Sequence, residues 1–297
     1  MFGVLNLNKP TGMTSRQLVN IVEKQCPKKC KVGHAGTLDP LATGVLVVAV
    51  GPATKLIQYA QQSRKIYLGS FRLGLRSDTE DITGEVERIP NAPEISSSEL
   101  TSSFERFTGE IQQTPPQFSA VKVNGVRAYK AARKGETVDI KPRPAHIYSL
   151  RLVDFNFPDF QIEIKCGKGT YVRTLGRDIA KSLGSDSVMT ALQRTAVGAF
   201  SIEQSQSLEA TKSLPIKETI SDALSIVNHL PKVQLSSDDI TRLLHGKRLA
   251  SQGWIADENA TEFAALDESG QLLAILERKS TTEFGSKVNF VPQLYSQ

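Results

Sequence analysis

A single carboxylate stands in a glycine-rich segment near the start of the chain. Asp39 is the only acidic residue of the segment Gly33–Gly44, which holds three glycines and one proline. Such a segment forms a tight loop that another chain can approach closely, and a carboxylate can act there as a nucleophile or a general base. Asp before Pro also initiates turns, so a turn-capping role for Asp39 stays open. The glycines match neither the dinucleotide fingerprint nor the Walker pattern for phosphate binding.

Regular elements are predicted on both sides of this loop. Gly3–Leu7 has the pattern of a short strand, and Thr14 and Gln17 have the spacing of a capping box at the start of a helix. Val45–Val50 is a continuous apolar run typical of a buried strand. The loop that carries Asp39 therefore connects a helix to a buried strand, where a rigid scaffold can present a side chain.

The rest of the chain predicts an α+β fold with a mixed α/β body and a smaller, strand-rich end. A compositional break near residue 230 predicts two domains, over residues 1–230 and 231–297. The elements predicted in the body after the loop are a helix over Thr54–Gln61, a strand over Lys65–Leu75, a helix over Ser98–Phe107, strands over Ile147–Phe155 and Phe160–Cys166, a helix over Tyr171–Leu183 and a strand over Thr195–Ser201.

Composition and cysteine usage exclude several classes of protein. The 297 residues are 39% hydrophobic and lack a fixed-period repeat, which excludes collagen-like, coiled-coil and solenoid proteins. The longest apolar run is too short for a membrane helix, so a cytoplasmic protein is expected. Cys26, Cys30 and Cys166 are too few for a disulfide framework. Cys26, Cys30 and His34 lack a second ligand pair for zinc, so no metal site is predicted.

Basic residues are concentrated in one part of the chain. Val121–Arg151 contains eight basic and two acidic residues, a net charge of +6, whereas the whole chain carries +5. Tyr129 lies among these cations, a mixture suited to RNA phosphates and unpaired bases, although a solvated cationic face has the same composition. Asn124-Gly125 predicts a hairpin turn between proline-marked breaks. The basic residues are therefore predicted to lie on an insertion, Gln113–Arg143, that projects from the body.

Several motifs, in a consistent order, resemble those of the tRNA pseudouridine synthase B (TruB) family of bacteria. The resemblance spans roughly Gly3–Phe200. Beyond Pro231 it is weaker, and there the chain resembles the small RNA-binding module of the PUA type. The segments that carry the resemblance are Asn8–Ser15, Gly33–Gly44, Lys65–Tyr67, Leu73–Gly74 with Ser77–Thr79 and Asp81, Pro115–Lys122, Lys168–Arg173, Leu192–Thr195, Gly198 and Phe200.

The resemblance implies an activity and a set of residue roles. It implies that the T-loop uridine of tRNA, at position 55, is isomerised to pseudouridine without a cofactor or a metal, after the base is flipped into a pocket. The fold implied is a pseudouridine synthase catalytic fold with a central mixed or antiparallel sheet. The catalytic residues implied are the carboxylate of Asp39, Tyr67, which stacks on the flipped uracil or assists removal of the proton at C5, and Arg173, the cation beside the carboxylate.

Further residues are implied to bind the substrate. The T arm of tRNA is the implied partner, no obligatory protein partner is expected, and the chain is expected to be a monomer. The implied substrate-binding residues are Lys9 beneath the loop, His34 in the gap left by the flipped base, Tyr171 and Leu192 in the pocket, and Lys122, Arg127, Lys130 and Arg133 on the insertion.

Three other functions are weighed against this one. A guide-RNA-dependent pseudouridine synthase subunit resembles the chain around Asp39, but such a subunit leaves the gripping of its substrate to partners. An RNA-binding or RNA-folding protein without isomerase activity would share the basic insertion. A carboxylate-based hydrolase needs a second acid at a defined separation, and the motif loops show no evident pair.

Overall fold

A computed structural model describes residues 1–123, 125–250 and 259–295, the last without the side chain of Tyr295. Asn124 of the predicted turn lies outside the described residues. Within the described residues, no helix is both long and apolar enough to span a bilayer.

The body of the protein, up to residue 230, contains most of the strands and helices. Its strands are β1 (Gly3–Lys9), β2 (Val32–His34), β3 (Thr43–Val50), β4 (Lys65–Leu73), β5 (Leu75–Ser77), β6 (Val86–Arg88), β7 (Gly109–Gln113), β8 (Lys122–Val123), β9 (Val126–Arg127), β10 (Arg143–Asn156), β11 (Asp159–Cys166), β12 (Ser187–Val197) and β13 (Phe200–Ser201). Its α-helices are α1 (Ser15–Gln25), α2 (Ile57–Gln62), α3 (Ser97–Ser103), α4 (Ala128–Ala132), α5 (Val172–Ser182), α6 (Leu208–Ser213) and α7 (Ile216–Thr219). Short 3₁₀ turns cover Gly51–Leu56, Phe104–Phe107 and Ala223–Val227.

One large mixed sheet organises the body. Its main path runs in the order β1-β3-β12-β4-β11-β10-β7, with β2 beside β3 and β13 beside β12. Neighbours along the path are antiparallel except β12 and β3, which pair in parallel through Gln193 and Arg194. The prediction of an α+β fold with a central mixed sheet is confirmed.

Hydrophobic clusters cover parts of this sheet. The apolar residues of α1, including Leu18 and Val22, pack against β1 and β3. Helix α5 packs its buried side, including Leu175 and Ile179, against β4 and β11. Leu38, from the loop that carries Asp39, lies in this second cluster, so the loop is fixed to the sheet by apolar contact.

The basic insertion leaves the edge of the sheet between two paired strands. Gln113 at the end of β7 and Arg143 at the start of β10 are partners in the ladder, so residues 114–142 form an excursion from one point. Within it, β8 and β9 pair as the predicted hairpin, and α4 follows. Val121, Ala128 and Ile140 form a small apolar cluster of their own.

A second sheet follows the body. It consists of β14 (Lys232–Gln234), β15 (Leu249–Ala250), β16 (Glu262–Leu266), β17 (Leu272–Arg278) and β18 (Glu283–Asn289), with α8 (Ser237–Leu244) and α9 (Val291–Tyr295). Strand order is β14-β16-β17-β18-β15. This sheet shares a hydrophobic cluster with the body, in which the rings of Phe2 and Phe290 lie 4.7 Å apart. The Tyr59 hydroxyl donates to Glu262 Oε2 at 2.6 Å across the same contact.

Candidate active site

The loop that carries Asp39 is held by the segment that joins β1 to α1. Gly12 N donates to the carbonyl of Pro40 at 2.8 Å, and the Thr11 hydroxyl donates to the carbonyl of Leu41 at 3.2 Å. Ser15, the first residue of α1, accepts from Leu38 N at 2.8 Å and donates to the Leu38 carbonyl. Backbone groups on both sides of Asp39 are therefore fixed without any use of its carboxylate.

Lys9 supports this arrangement from below. It is the last residue of β1 and has no exposed surface. Its ammonium donates to the carbonyls of Pro10 at 2.8 Å, Met13 at 2.6 Å and Pro40 at 3.4 Å. Lys9 thus joins both loops, and in this structure it lies beneath the site rather than on the surface where a substrate arrives. This position fits the support of the catalytic loop expected of Lys9, and its place among the substrate-binding residues stays a prediction.

Burial gives Lys9 a measurable titration. Desolvation lowers its pKa to about 8, only partly opposed by the charge of Asp39. Between pH 8 and 10.5 the unfolded chain binds more protons at this position than the folded chain, so the free energy of unfolding rises with pH. We expect urea titrations to show this rise, up to about 3 kcal/mol, in the wild type relative to Lys9→Met. If the free energies of unfolding of the two proteins depend on pH in the same way, the lowered pKa of Lys9 is contradicted.

Gly44 marks the point where the loop enters the sheet. It pairs with Lys9 on β1 and with Arg194 on β12. Its φ is +100°, and a Cβ there would lie 2.2 Å from the carbonyl oxygen of Arg194. Only glycine allows three strands to meet this closely beside the loop.

We expect Gly44→Ala to lower the free energy of unfolding by about 3 kcal/mol or more, because backbone strain adds to a clash with main-chain atoms. Gly12→Ala is the matched control. Gly12 also has a positive φ, +76°, but a Cβ there would meet nothing within 4 Å. Its expected loss is about 1 kcal/mol. If urea unfolding gives the two variants equal losses in the free energy of unfolding, the clash with Arg194 does not account for the effect of Gly44→Ala.

Asp39 lies against the cation predicted for it. Arg173 Nε is 3.1 Å from Asp39 Oδ2, and the two side chains are 6% and 38% exposed, respectively. The guanidinium also donates through Nη1 to the carbonyl of Thr79 at 2.6 Å and through Nη2 to that of Phe118 at 3.1 Å. A buried, multiply anchored cation therefore meets a carboxylate that is still open to solvent.

A second carboxylate shares this cation, which corrects the expectation that the motif loops contain no acidic pair. Asp81 Oδ2 is 3.8 Å from Arg173 Nε, and Asp81 is buried. Its Oδ1 accepts from the hydroxyls of Thr79 and Thr83 and from Thr83 N, at 2.6 to 2.9 Å. Because these donors and its burial fix Asp81, we interpret it as part of the frame that holds Arg173. The hydrolase reading gains no support from it.

Tyr67, the third catalytic residue implied by the family resemblance, lies on β4. It packs against the hydrophobic cluster that contains Leu38 and Leu192, and its neighbour in the ladder on β12 is Arg194. Burial raises the pKa of the Tyr67 hydroxyl, and the charge of Arg194 opposes this rise only in part. The phenol is therefore neutral at physiological pH, which suits stacking or hydrogen-bond donation and disfavours proton abstraction by a phenolate.

Arg194 is the residue that sequence reasoning left without a role. It is 2% exposed, and it donates from Nε to the carbonyl of Val45 at 2.7 Å and from Nη2 to that of Gly36 at 3.1 Å. It therefore ties the start of the loop to β3 and places positive charge behind the site. The available signal was its position two residues after Leu192, which puts both side chains on one face of a strand.

His34 ends β2, five residues before Asp39 in the chain. Burial and the charge of Arg194 lower the pKa of its imidazole, so the ring is neutral near pH 7. Its Nδ1 is buried and has no hydrogen-bond partner in the structure. The implied role beside a flipped base stays a prediction.

Tyr171 and Leu192 approach the site from different elements. Leu192 is buried in β12, in the cluster that contains Leu38. Tyr171 precedes α5, and its backbone is held by the Gln113 side chain, which accepts from Tyr171 N at 3.0 Å and donates to its carbonyl at 3.2 Å. Tyr171 also packs on the apolar cluster of the insertion. The insertion is therefore joined directly to the segment that leads into Arg173.

The predicted basic residues do not meet the carboxylate. They lie exposed on the insertion, where Arg133 stands 5.4 Å from the ring of Tyr129. The residues in this exposed group are Lys122, Arg127, Lys130 and Arg133. Among the described residues, no cluster of three or more His, Cys, Asp or Glu side chains is arranged to hold a metal ion.

Comparison with known proteins identifies the family. Residues 24–172 match the family described as TruB family pseudouridylate synthase, N-terminal domain. The chain belongs to the TruB family. A TruB relative from Dehalococcoides mccartyi, named tRNA pseudouridine synthase B, is 39% identical over 250 residues, which cover 83% of each chain. One from Thermobifida fusca with the same name is 37% identical over 291 residues, covering 94% of this chain and 95% of the relative.

Solved structures share the TruB fold over nearly the whole chain. A chain of a Cbf5-Nop10-Gar1 complex superposes with a TM-score of 0.73 at 25% identity, covering 97% of this chain and 84% of that one. A chain from an H/ACA RNP bound to a substrate RNA containing 2′-deoxyuridine gives 0.72 at 24% identity, with the same coverage. The similarity includes the second sheet, since the covered share extends beyond the body.

Proposed function

We propose that this chain isomerises the T-loop uridine of tRNA, at position 55, to pseudouridine, with Asp39 as the catalytic carboxylate. The observation that carries the proposal is the contact between solvent-open Asp39 and buried Arg173, at 3.1 Å. Membership in the TruB family and relatives named tRNA pseudouridine synthase B support the same reaction and substrate class.

The reaction requires the chemistry that this site offers. The bond between N1 and C1′ breaks, the uracil rotates, a bond forms between C5 and C1′, and the proton on C5 is lost while N1 gains one. An anionic oxygen at Asp39 either attacks the sugar or base, or removes the 2′ proton to form a glycal. Arg173 orients the Asp39 carboxylate through its Nε, and the exposed part of the carboxylate remains free to meet the nucleotide.

The neighbouring side chains suit an extruded base. Neutral Tyr67 provides a ring for stacking, Leu192 and Tyr171 provide apolar walls, and His34, at the start of the loop, is proposed to fill the vacated position. Flipping a base costs a few kcal/mol of lost stacking. Aromatic and apolar surfaces around Asp39 can return part of this energy.

The insertion is proposed to grip the T arm. Its basic side chains are exposed, and its ends leave the sheet at Gln113 and Arg143, beside the segment that leads into α5. A-form RNA offers phosphates and 2′-hydroxyls more than base edges, so a cationic arm beside a base pocket fits the substrate.

We expect the double variant Lys130→Ala/Arg133→Ala to bind an unmodified tRNA transcript more weakly and with a flatter salt dependence. Each lost phosphate contact reduces the slope of log K against log salt by roughly 0.7 to 0.9. Filter binding at several salt concentrations measures the slope. Lys212→Ala/Lys217→Ala, which removes two exposed lysines of α6 and α7 outside the insertion, is the charge-matched control and is expected to keep the wild-type slope. An unchanged slope in the double variant would place the T arm elsewhere.

The proposal includes the organisation of the chain. Residues 1–230 act as the catalytic domain, and residues 231–297 act as a PUA-like module that adds RNA contacts. The enzyme acts in the cytoplasm, as a monomer and without an obligatory protein partner.

The test is a reaction with the purified chain alone. Uridine labelled with tritium at C5 loses its label when C5 bonds to C1′, so tritium release from a tRNA transcript reports isomerisation. Release without added protein or guide RNA is expected. Release only when a guide RNA and partner proteins are supplied would favour the guide-dependent alternative, and tight binding without release would favour an RNA-folding protein.

A further inference from the structure

A second group of aromatic and cationic side chains lies outside the site described above. Tyr148 is 42% exposed, and the guanidinium carbon of Arg64 stands 4.1 Å from the centre of its ring. The ring centres of His146 and Tyr148 are 4.5 Å apart, with their planes inclined by 57°. Arg64, His146 and Tyr148, together with Lys168, are called the Tyr148 platform below.

The strand pattern explains why these rings face solvent. His146 and Tyr148 alternate on β10 with Ala145 and Ile147, which are buried. The two rings therefore point away from the core, on the outward side of the strand. Neither ring is needed to fill the hydrophobic cluster beneath β10.

The platform adjoins the segment that leads to the active-site cation. Gly167 N donates to the carbonyl of His146 at 2.8 Å, and a Cβ at Gly167 would lie 4.0 Å from the Tyr148 hydroxyl. The turn that contains exposed Lys168 thus lies against both rings. The same segment continues into α5 and Arg173.

Charge on this surface is predominantly positive. Arg64 and Lys168 are both exposed beside the rings. The nearby acids are Glu110, opposite His146 in the ladder, and Glu163, which pairs with Arg151 at 3.3 Å. Arg64 and Lys168 therefore leave an excess of positive charge beside the two rings, which suits a polyanion gripped by the insertion.

We propose that the Tyr148 platform binds an unpaired nucleotide of the RNA substrate, outside the catalytic pocket. The Arg64 guanidinium, which lies over the Tyr148 ring, receives the base by stacking on its outer side, and Lys168 contacts an adjacent phosphate. Tyrosine, histidine and arginine planes are the surfaces on which proteins stack unpaired bases. The inference rests on the proposed function, because it assigns a contact to the RNA of that reaction.

The test measures the Kd of an unmodified tRNA transcript and the rate of isomerisation in a single turnover. Tyr148→Ala is expected to weaken binding by about 5- to 100-fold, the range for loss of one stacked base. Its salt slope is expected to stay unchanged, because no charge is lost. Lys168→Ala is expected to lower the slope by roughly 0.7 to 0.9.

Two further variants separate stacking from folding. Tyr148→Phe keeps the ring and is expected to bind like the wild type. Phe157→Ala removes an exposed aromatic side chain at the far end of β10, in the turn between β10 and β11. Phe157 is 41% exposed, and its removal is expected to leave the Kd unchanged. Equal effects of Tyr148→Ala and Phe157→Ala, or wild-type binding by Tyr148→Ala, would overturn the inference.

The wild type distinguishes this inference from the function on which it rests. Wild-type protein that binds and converts the transcript, with Tyr148→Ala unchanged in both, refutes the platform alone. Wild-type protein that neither binds nor converts tRNA refutes the proposed function, and the platform assignment falls with it.

Discussion

Asp39→Asn is expected to lower the single-turnover rate of pseudouridine formation by at least about 10³-fold, within the range for loss of an essential acid–base or nucleophilic group. The amide has nearly the shape of the carboxylate but no charge to attack carbon or accept a proton. The Kd for tRNA is expected to stay close to that of the wild type. The loop is held by Lys9, Gly12 and Ser15, none of which contacts the Asp39 carboxylate.

Quantification of pseudouridine beside filter binding checks this prediction. Asp78→Asn is a suitable control, because Asp78 lies in a neighbouring motif and its Oδ1 accepts from Glu85 N rather than contacting Arg173. It is expected to keep activity. Loss of binding together with activity in Asp39→Asn would mean that Asp39 maintains the loop and not the chemistry.

Arg173→Ala is expected to damage both stability and catalysis. Removal of this side chain leaves the buried Asp81 without its cation and the carbonyls of Thr79 and Phe118 without their donors. Breaking a buried pair in this way costs about 3 to 5 kcal/mol. The rate is expected to fall by at least about 10²-fold even at temperatures where the variant is folded, because Asp39 loses its orienting partner.

Arg72→Ala is the matched control for stability. Arg72 pairs with Asp159 at 2.7 Å, but both side chains are about half exposed. Such pairs contribute up to about 1 kcal/mol. Arg173→Lys retains the charge without the planar fork and is expected to recover part of the rate. Urea unfolding that shows equal losses for Arg173→Ala and Arg72→Ala would contradict the buried network.

Much of the fold follows from local patterns. Thr14 and Gln17 form the predicted capping box of α1, and the apolar run that begins at Val45 is a fully buried strand. The hairpin of the insertion forms where Asn-Gly predicts a turn. In these segments, side-chain periodicity and capping act over a few residues and therefore leave a readable signal.

Strand β12 shows where local patterns fail. A strand was predicted over Thr195–Ser201, but β12 covers Ser187–Val197 and β13 begins at Phe200. The run contains Gln193 and Arg194, which weaken its apolar pattern. Arg194 is accommodated in the interior because backbone carbonyls from distant segments accept its donors. That compensation is tertiary, so it leaves no signal in the neighbouring residues.

For the same reason, the local sequence marks only part of the candidate site. Asp39 is conspicuous because glycines and a proline surround it. The pairing of Asp39 with Arg173 came from family resemblance, since the two residues lie far apart in the chain. Asp81 enters the same network through a turn stabilised by Thr79 and Thr83, and only the folded arrangement reveals that it shares the guanidinium.

The most direct test of the account maps pseudouridine in an unmodified tRNA transcript by carbodiimide-dependent primer extension. The transcript is incubated with the purified full chain or with Asp39→Asn, without added metal, cofactor, guide RNA or protein. One new stop, at the T-loop uridine, is expected with the wild type only. A stop at another position, a stop with both proteins, or no stop despite tight binding would contradict it.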